Sequence, residues 1–311
     1  MSDELRKEGT SCASCRILAR TSAPVSIPST FAVPRLLSPV LAAGCLLLAV
    51  PFASPAHAQG KVDAQYEVTL AGIPIGKGSW VVDIGDDQYS ALASGKTTGL
   101  VSMMATGDGN GGSQGRVVKG QLVPAFYSVS MNTNKKHELL KIGLEKGNVK
   151  EFSIEPEPPV NPERIVVTDA HKRGVTDPMT GSLLRVPGTG DPVGPEACTQ
   201  TTSVFDGRMR YDLKLEYKRI ESIKVEKGYQ GPAVVCGITF VPISGYVPDR
   251  AAIKYLKGQR NMEVWFAPIL GTRVLMPYKL SIPTPLGTGV LQATRFTNSI
   301  SSQSGAAAAV R

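Results

Sequence analysis

Residues 208–217 read RMRYDLKLEY, and this stretch decides the fold class. Successive side chains of a β-strand point to opposite faces, so a period of two predicts a strand with one dry and one wet face. Asp206-Gly207, directly before the stretch, indicates a turn. The charges therefore share a face because strands alternate; the alternative is that the charged face lines a groove. The dry face is Met209, Tyr211, Leu213, Leu215 and Tyr217, and the wet face is Arg208, Arg210, Asp212, Lys214 and Glu216.

The same period of two recurs along much of the chain. It is clear in AQYEVTL (64–70), AFYSVSM (125–131) and HELLKIGLE (137–145), and Lys146-Gly147-Asn148 indicates a hairpin turn. A long antiparallel sheet twists and curls rather than staying flat. We therefore predict a mainly β protein, with a strongly curved antiparallel sheet or partly open β-barrel, one short helix and long loops.

Two stretches lack the strand pattern. TDPMTGSLLRV (176–186) predicts a short helix, with Thr176 or Asp177 as N-cap and Pro178 in the first turn. GDGNGG (107–112) follows the apolar residues Leu100–Met104 and is too rich in glycine to pack a core. We expect it to belong to a mobile loop; a calcium-binding loop is the less favoured interpretation, because calcium needs six or more oxygen ligands.

The N-terminal region predicts export. An apolar run, Val40–Ala53, is too short to span a bilayer comfortably and suits the core of a signal peptide. Ala56 and Ala58 form a small-x-small cleavage pattern, so we predict cleavage after Ala58. An uncleaved membrane anchor is the alternative.

These features divide the chain into three parts. Residues 1–58 are an N-terminal extension with the signal peptide, residues 59–299 are a single β-rich domain, and residues 300–311 are a disordered tail. Within the domain, strand groups at about 62–154 and 199–298 are joined by an irregular, proline-rich segment, 155–198.

Cysteine usage agrees with export. Cleavage after Ala58 leaves only Cys198 and Cys236 of the five cysteines, and an even pair in an exported chain indicates a disulfide. A crosslink over a loop of this length stabilises by roughly 4 kcal/mol in the chain-entropy model. Two buried free thiols are the alternative.

Charge and motifs exclude several function classes. The net charge of +8 is spread along the chain with few aromatic residues among the basic ones, so we expect no nucleic-acid partner. His137 has no second histidine at zinc-site spacing, and the sequence contains no P-loop and no G-x-S-x-G. We therefore expect no cofactor, metal site or catalytic residue. Paired carboxylates, drawn from Asp206, Asp212 and Glu216, leave one route to hydrolysis.

Several stretches, taken in order, resemble one family. They include YEVTLAGIPIGKGSW (66–80), CTQTTSVFDGRMRYDL (198–213) and TPLGTGVLQATRF (284–296), and the resemblance spans roughly residues 60–299. It is to the exported proteobacterial envelope proteins that contain domain of unknown function 3108. The resemblance implies a β-rich periplasmic protein for which no reaction is established. Some relatives are similar to half-barrel lipoprotein carriers, which bind acyl chains.

A curved sheet often encloses an apolar interior that binds small ligands. Five apolar residues are expected to line it, and Leu100, Met103 and Met104 to form a lid, since methionine adapts to varied partners. For Arg208 and Arg210, beside Tyr211, a solvated strand face is the favoured interpretation, and the alternative hypothesis is that they bind an anionic head group. The five expected lining residues are Trp80, Tyr211, Leu213, Leu215 and Trp265.

The sequence therefore predicts a non-enzymatic periplasmic envelope protein that binds or carries an apolar ligand such as a lipid, with peripheral or no membrane contact after processing. One alternative is an envelope assembly or scaffold protein that contacts a protein partner through a sheet edge or through residues 155–198. The second alternative is a hydrolase without a recognisable motif.

Overall fold

The computed structural model describes residues 59–99, 106–134 and 136–300, which belong to one compact unit. The predicted signal peptide with Ala58, the loop Leu100–Met104 and nearly all of the predicted tail lie outside these residues. Within them the chain forms fifteen strands, one α-helix and three short 3-10 turns. No helix there has the length and apolar character needed to cross a membrane.

The strands have these bounds: β1 Gly60–Leu70, β2 Ile73–Ile84, β3 Gln88–Thr97, β4 Gly107–Val118, β5 Gln121–Thr133, β6 Lys136–Glu145, β7 Asn148–Glu155, β8 Leu184–Arg185, β9 Thr201–Phe205, β10 Arg210–Lys224, β11 Lys227–Gly228, β12 Gln230–Ser244, β13 Met262–Pro268, β14 Val274–Thr284 and β15 Gly287–Ser299. The helix α1 spans Ala251–Gly258, and the 3-10 turns span Asp169–Lys172, Thr180–Ser182 and Pro195–Thr199.

Thirteen of the strands form one antiparallel path in the order β7-β6-β5-β4-β3-β2-β1-β15-β14-β13-β12-β10-β9. The first and last strands, β1 and β15, pair with each other, so two meanders join into one sheet. β8 adds to β14, and β11 adds to β15 in parallel. The predicted mainly β fold with a large curved antiparallel sheet is confirmed.

The sheet is not closed by a direct pairing of its end strands, β7 and β9. Instead, residues 173–176 bridge the two edges. The Val175 amide donates to the Gly147 carbonyl at 2.8 Å, and the Thr176 amide donates to the Ser203 carbonyl at 2.9 Å. Because backbone groups at a sheet edge need partners, this short segment satisfies part of both edges.

The core has three clusters of buried side chains. The inner cluster joins β1–β3 to β12–β15 across the inside of the curve, and it includes Val62, Val82, Val235, Met276 and Phe296. The outer cluster covers the opposite face of β12–β14, and it includes Leu184, Val193, Cys198, Val234, Cys236 and Phe266. The third cluster lies at β5–β7, and it includes Tyr127, Leu140, Ile142, Val175 and Phe205.

The predicted disulfide is present, between Cys198 and Cys236, whose Cα atoms are 5.5 Å apart. It ties the 3-10 turn Pro195–Thr199 to strand β12, and both cysteines are buried in the outer cluster. The crosslink therefore holds a cover over one face of the sheet.

The helix predicted at 176–186 is wrong. Asp177 accepts hydrogen bonds from the Met179 and Thr180 amides as an N-cap does, but only Thr180–Ser182 makes a 3-10 turn, because Leu184 and Arg185 pair with β14 as strand β8. Met179 contacts both the inner and the third cluster. The single α-helix of the described residues is α1, which begins after Pro248-Asp249 and buries Ile253.

The mobile loop predicted at 107–112 is also wrong, because these residues belong to strand β4, which pairs with β3 and β5. Glycine has a low strand propensity, but two neighbouring strands supply hydrogen bonds on both sides. The predicted turns are confirmed: Lys146 and Gly147 both have positive φ, at 50° and 76°, and Asp206-Gly207 joins β9 to β10.

Candidate ligand-binding site

A row of small residues crosses the inner face of β2–β4. Tyr66 of β1 pairs with Gly78, Gly78 pairs with Gly95, Gly95 pairs with Gly109, and Gly109 pairs with Met131 of β5. Directly paired residues share a face of the sheet, so the row continues the inner face that buried Tyr66 occupies. The three middle strands therefore carry no side chain at this level.

The neighbouring rows of paired residues also contain glycine or alanine on this face of the sheet. Gly76 pairs with Val68 on β1, and Gly107 pairs with Thr133 on β5. On the other side of the first row, Ala93 pairs with Gly111. Glycines at alternate positions thus remove side chains from one face over three levels of β4 and over two levels of β2, where Trp80 occupies the third.

Two apolar cavities lie against this floor. One, of about 410 Å³, is bounded by Trp80, Val68 and Leu291. The other, of about 460 Å³, is bounded by Tyr127, Met131 and Met179 among others. Both are lined by Ala93–Thr97, so they adjoin along β3. We call the two cavities together the trough.

The glycines of the floor have two distinct physical roles. A Cβ added at Gly95 would meet nothing closer than 3.7 Å, and one at Gly107 nothing closer than 3.6 Å, so a methyl group at either position would make only ordinary van der Waals contacts. A Cβ at Gly78 would lie 2.7 Å from the Ser94 carbonyl oxygen, and one at Gly109 2.9 Å from that of Ser130. At those two positions the neighbouring strand approaches too closely to leave room for a side chain.

A buried polar network stands beside the trough. Asp177 accepts hydrogen bonds from the Ser113 hydroxyl at 3.0 Å and from the Met179 and Thr180 amides at 2.9 Å each. The Tyr89 hydroxyl lies 2.6 Å from that of Thr180, which links β3 to the inward-packed segment. Burial raises the pKa of Asp177 above its usual value despite these hydrogen bonds.

Burial also raises the pKa values of the tyrosines near this network. It raises the pKa of Tyr89 to about 12 and that of Tyr127 to about 12, with the negative charge of Asp177 contributing in each case. Both phenols therefore stay neutral at physiological pH. The network can hold the segment 177–180 in place, but its groups are too deeply buried to meet a substrate in this conformation.

Charged residues lie at the β6 end of the trough. Glu138 is buried and is bonded by Lys136 and by Arg208, whose guanidinium nitrogen is 2.7 Å from the carboxylate. These two hydrogen bonds, the one from Lys136 being the stronger influence, lower the pKa of Glu138 below its usual range. Beyond them lies a third cavity, of about 930 Å³, bounded by β7 and by residues 157–167.

The structure separates the predicted interior residues. Trp80 lines the trough, whereas Leu215 packs against the outer cluster, on the far side of β12–β13 from Trp265 in the inner cluster. The prediction that these residues line one interior is wrong, because the disulfide-tied cover makes both faces of β12–β14 dry. Tyr211 packs on Phe240 with ring centroids 5.5 Å apart, at the β10–β12 pair that also contains Leu213.

The predicted arginine pair does not act together. Arg208 reaches Glu138 in the interior, but Arg210 binds the Asp212 carboxylate at 2.7 Å, which also accepts from Ser203. Arg208 lies in the turn between β9 and β10, and β10 begins at Arg210, so the strand spacing of two does not apply to this pair. Leu100, Met103 and Met104 lie outside the described residues, and their role as a lid stays a prediction.

Trp265 occupies a polar niche rather than the trough. Its Nε1 donates to the Glu221 carboxylate at 2.7 Å, and the Lys279 ammonium lies 4.6 Å from the ring centroid. Arg219 binds both Glu221 and Glu263 beside it. These contacts are local and border no part of the trough.

The carboxylates considered for hydrolysis have other partners. Asp206 accepts from the Arg208 and Met209 amides and so fixes the β9–β10 turn, and burial raises its pKa. Glu216 is bonded to Lys218. Among the described residues, no three His, Cys, Asp or Glu side chains are grouped to hold a metal ion.

The trough residues that sequence reasoning missed are the glycines. The signal that identifies them is their period of two, at 76 and 78 on β2 and at 107, 109 and 111 on β4. This is the periodicity of a strand face, but it was interpreted as loop composition because glycine is rare in strands.

One family model, described as a protein of unknown function (DUF3108), matches residues 65–294, which include the trough and both cysteines of the disulfide. The chain belongs to the DUF3108 family. No curated protein matches it. One similar solved structure is the beta-barrel-like protein of domain of unknown function DUF1849 from Brucella abortus, with 7% sequence identity and a TM-score of 0.43. That alignment covers 77% of this DUF3108 chain and 98% of the other chain.

Proposed function

We propose that this DUF3108 protein is a non-enzymatic periplasmic protein that binds a slender apolar ligand, such as an acyl chain, in the trough. The observation that carries the proposal is the pair of adjoining apolar cavities on the concave face, about 410 and 460 Å³ in size. Ligand pockets typically have about 300–1,000 Å³ and apolar walls with few polar groups. An open glycine floor suits a narrow chain rather than a wide ring system.

Two further features support the periplasmic location. The segment before Gln59 has the signal-peptide pattern, and the Cys198–Cys236 disulfide suits an oxidising compartment. N-terminal sequencing of the protein from its native envelope tests this part, with Gln59 expected as the first residue. Detection of the full N-terminal region in the cytosol contradicts it.

Mass spectrometry of small molecules that stay bound to the purified protein is the direct test of binding. Fluorescence gives a second readout, because the chain has two tryptophans and only Trp80 lines the trough. In a Trp265→Phe background, adding an acyl compound is expected to shift the Trp80 emission to shorter wavelength, since apolar contact replaces water.

A filled trough provides the control. Gly95→Leu places a side chain where a Cβ has room, and it is expected to abolish both the bound lipid and the fluorescence shift. Gly190→Leu adds the same side chain at a glycine with no atom within 4 Å of its Cβ position, and binding is expected to persist. Lipid bound equally to both variants places the ligand elsewhere, and no bound lipid in any of them ends the proposal.

A scaffold role is the second candidate, because apolar side chains are exposed beside the edge strand β7. Val160 is 95% exposed and Val166 73%, and both line the third cavity. A photo-crosslinking residue at either position is expected to trap one defined envelope protein, while the same residue at Leu286, which is 76% exposed on the β14–β15 hairpin, traps none. Identical products from all three positions contradict this role.

A further inference from the structure

The charged residues at the β6 end of the trough identify the class of ligand. We propose that the ligand is a single-chain amphiphile with an anionic head group, and that Lys136 and Arg208 bind this head group. The inference rests on the proposed function, because the apolar chain must lie in the trough for the head group to reach these residues.

Strand register places the cations next to the apolar wall. Met131 and Thr133 line the second cavity on β5, and they pair directly with Glu138 and Lys136 on β6. Paired residues in an antiparallel ladder have Cα atoms about 4.5–5.5 Å apart. The charged side chains therefore begin one strand beyond the apolar lining.

The ion pairs at this end of the trough contain more cations than carboxylates. Two cations, Lys136 and Arg208, share one carboxylate, that of Glu138. Glu138 is 8% exposed, whereas Arg208 and Lys136 remain 28% and 48% exposed, so solvent and ligand reach the cations rather than the carboxylate. A guanidinium has five N–H donors, more than the contact with Glu138 uses.

The charges around Lys136 and Arg208 favour an anion on the side of these two residues that faces the trough. Lys136, Arg208 and Arg164 line the third cavity together with Glu155 and Glu157, and the two carboxylates oppose an anion on that side. Asp206 lies near both Arg208 and Arg164, and its carboxylate already accepts hydrogen bonds from two backbone amides. An anion is therefore best placed between Lys136 and Arg208, at the end of the trough.

The size of the trough matches a long single chain. Four strand spacings separate β2 from β6, an arc of about 19 Å at about 4.8 Å per spacing. A ligand that extends from Trp80 to Lys136 therefore crosses the whole glycine floor. One apolar chain with one charge at its end fits this arrangement, since a second charge would lie on the apolar lining at a high desolvation cost.

The test compares palmitate with hexadecanol, which has the same chain length without the charge. Both are titrated against Trp80 fluorescence in the Trp265→Phe protein. Palmitate is expected to bind at least tenfold more tightly, and Arg208→Gln and Lys136→Gln are each expected to weaken palmitate about tenfold, or about 1.4 kcal/mol, without changing hexadecanol. Arg210→Gln is the matched control, because Arg210 is paired with Asp212 and should leave both affinities unchanged.

Hexadecyl phosphate in place of palmitate distinguishes a phosphate from a carboxylate head group, and preference for either one over hexadecanol supports the inference. Equal binding of the charged and neutral ligands overturns it while leaving the apolar trough intact. Equal weakening of both ligands in the variants, with unchanged thermal stability, also overturns it. Failure of every ligand to bind overturns the proposed function itself.

Discussion

The inner face of the sheet is filled at β12–β14 and open at β2–β4. At β12–β14 the inward positions carry Val235, Trp265 and Met276, which are at most 7% exposed. At β2–β4 the corresponding row carries Gly78, Gly95 and Gly109. Both regions have the same strand periodicity, so the size of the inward side chain, rather than the alternation itself, makes one region a core and the other a cavity.

The two regions also differ on their other face. At β12–β14 it is covered by the outer cluster and tied down by Cys198–Cys236. At β2–β3 it carries polar contacts, such as the one between the Ser79 and Ser94 hydroxyls at 2.9 Å, and Leu92 there is 61% exposed. The β12–β14 region therefore has packed side chains on both faces of the sheet. At β2–β3 the outer face is exposed, and the inner face forms the floor of the trough.

The largest effect is expected from opening the filled region. Phe296→Ala removes a fully buried ring from the inner cluster and should lower the free energy of unfolding by about 3–5 kcal/mol. Urea denaturation measures this loss. Phe126→Ala removes a ring that is 39% exposed and should cost clearly less. Similar losses for both phenylalanines contradict the assignment of the filled core.

Removing the disulfide tests whether the cover of the outer cluster depends on it. The loop of 38 residues predicts a loss of about 4 kcal/mol for the Cys198→Ser, Cys236→Ser double variant. Denaturation with and without reductant checks this value, since reductant should destabilise the wild type and leave the variant unchanged. A loss under about 1 kcal/mol shows that packing alone holds the cover.

In the open region, substitutions at two paired glycines distinguish the two roles of the floor glycines. Gly78→Ala places its Cβ 2.7 Å from the Ser94 carbonyl oxygen and should cost about 1–3 kcal/mol through overpacking. Gly95→Ala has space and should stabilise by about 0.5 kcal/mol, because alanine loses less backbone entropy on folding. Thermal unfolding of both variants is the measurement, and effects of the same sign contradict the two roles of the floor glycines.

The smallest effect concerns Asp177, at the boundary of the two regions. Its raised pKa means that the folded protein favours the protonated acid, so the wild type should lose stability as pH rises from about 3.8, the ordinary value, through the raised value. Asp177→Asn keeps an acceptor for the Met179 and Thr180 amides and a donor toward Ser113. Its stability relative to wild type should therefore increase over this pH range, and a constant difference contradicts the shift.

Most strands were predictable because their physical cause is local. The burial pattern of β6 alternates from Glu138 to Leu144, as its sequence does. The Lys146-Gly147 turn follows from Gly147, because glycine adopts positive φ at little cost. The disulfide was predictable because the predicted cleavage after Ala58 leaves two cysteines, although the sequence did not show that the disulfide covers the sheet.

Other elements were not predictable because long-range contacts decide them. Strand β4 contains five glycines among its first nine residues, and it is a strand only because β3 and β5 pair with it on both sides. Asp177 was expected to begin a helix and instead anchors an inward segment through Ser113 of β4. The arginines were considered as a pair, but Arg208 lies in the turn before β10 and the two arginines bind different carboxylates.

By itself, the sequence determined the strand periodicity and the turns, because both depend on neighbours along the chain, and together they predict a curved antiparallel sheet. It also determined which two cysteines were available to pair. The tertiary structure decided which apolar strand face packs into the inner cluster, which lies under the disulfide-tied cover and which borders a cavity. That choice depends on what lies across the sheet: Leu215 meets the disulfide-tied turn, Trp265 meets the inner cluster, and Gly95 lines a cavity. Alternation assigns a residue to a face, but only the folded chain places a partner against that face.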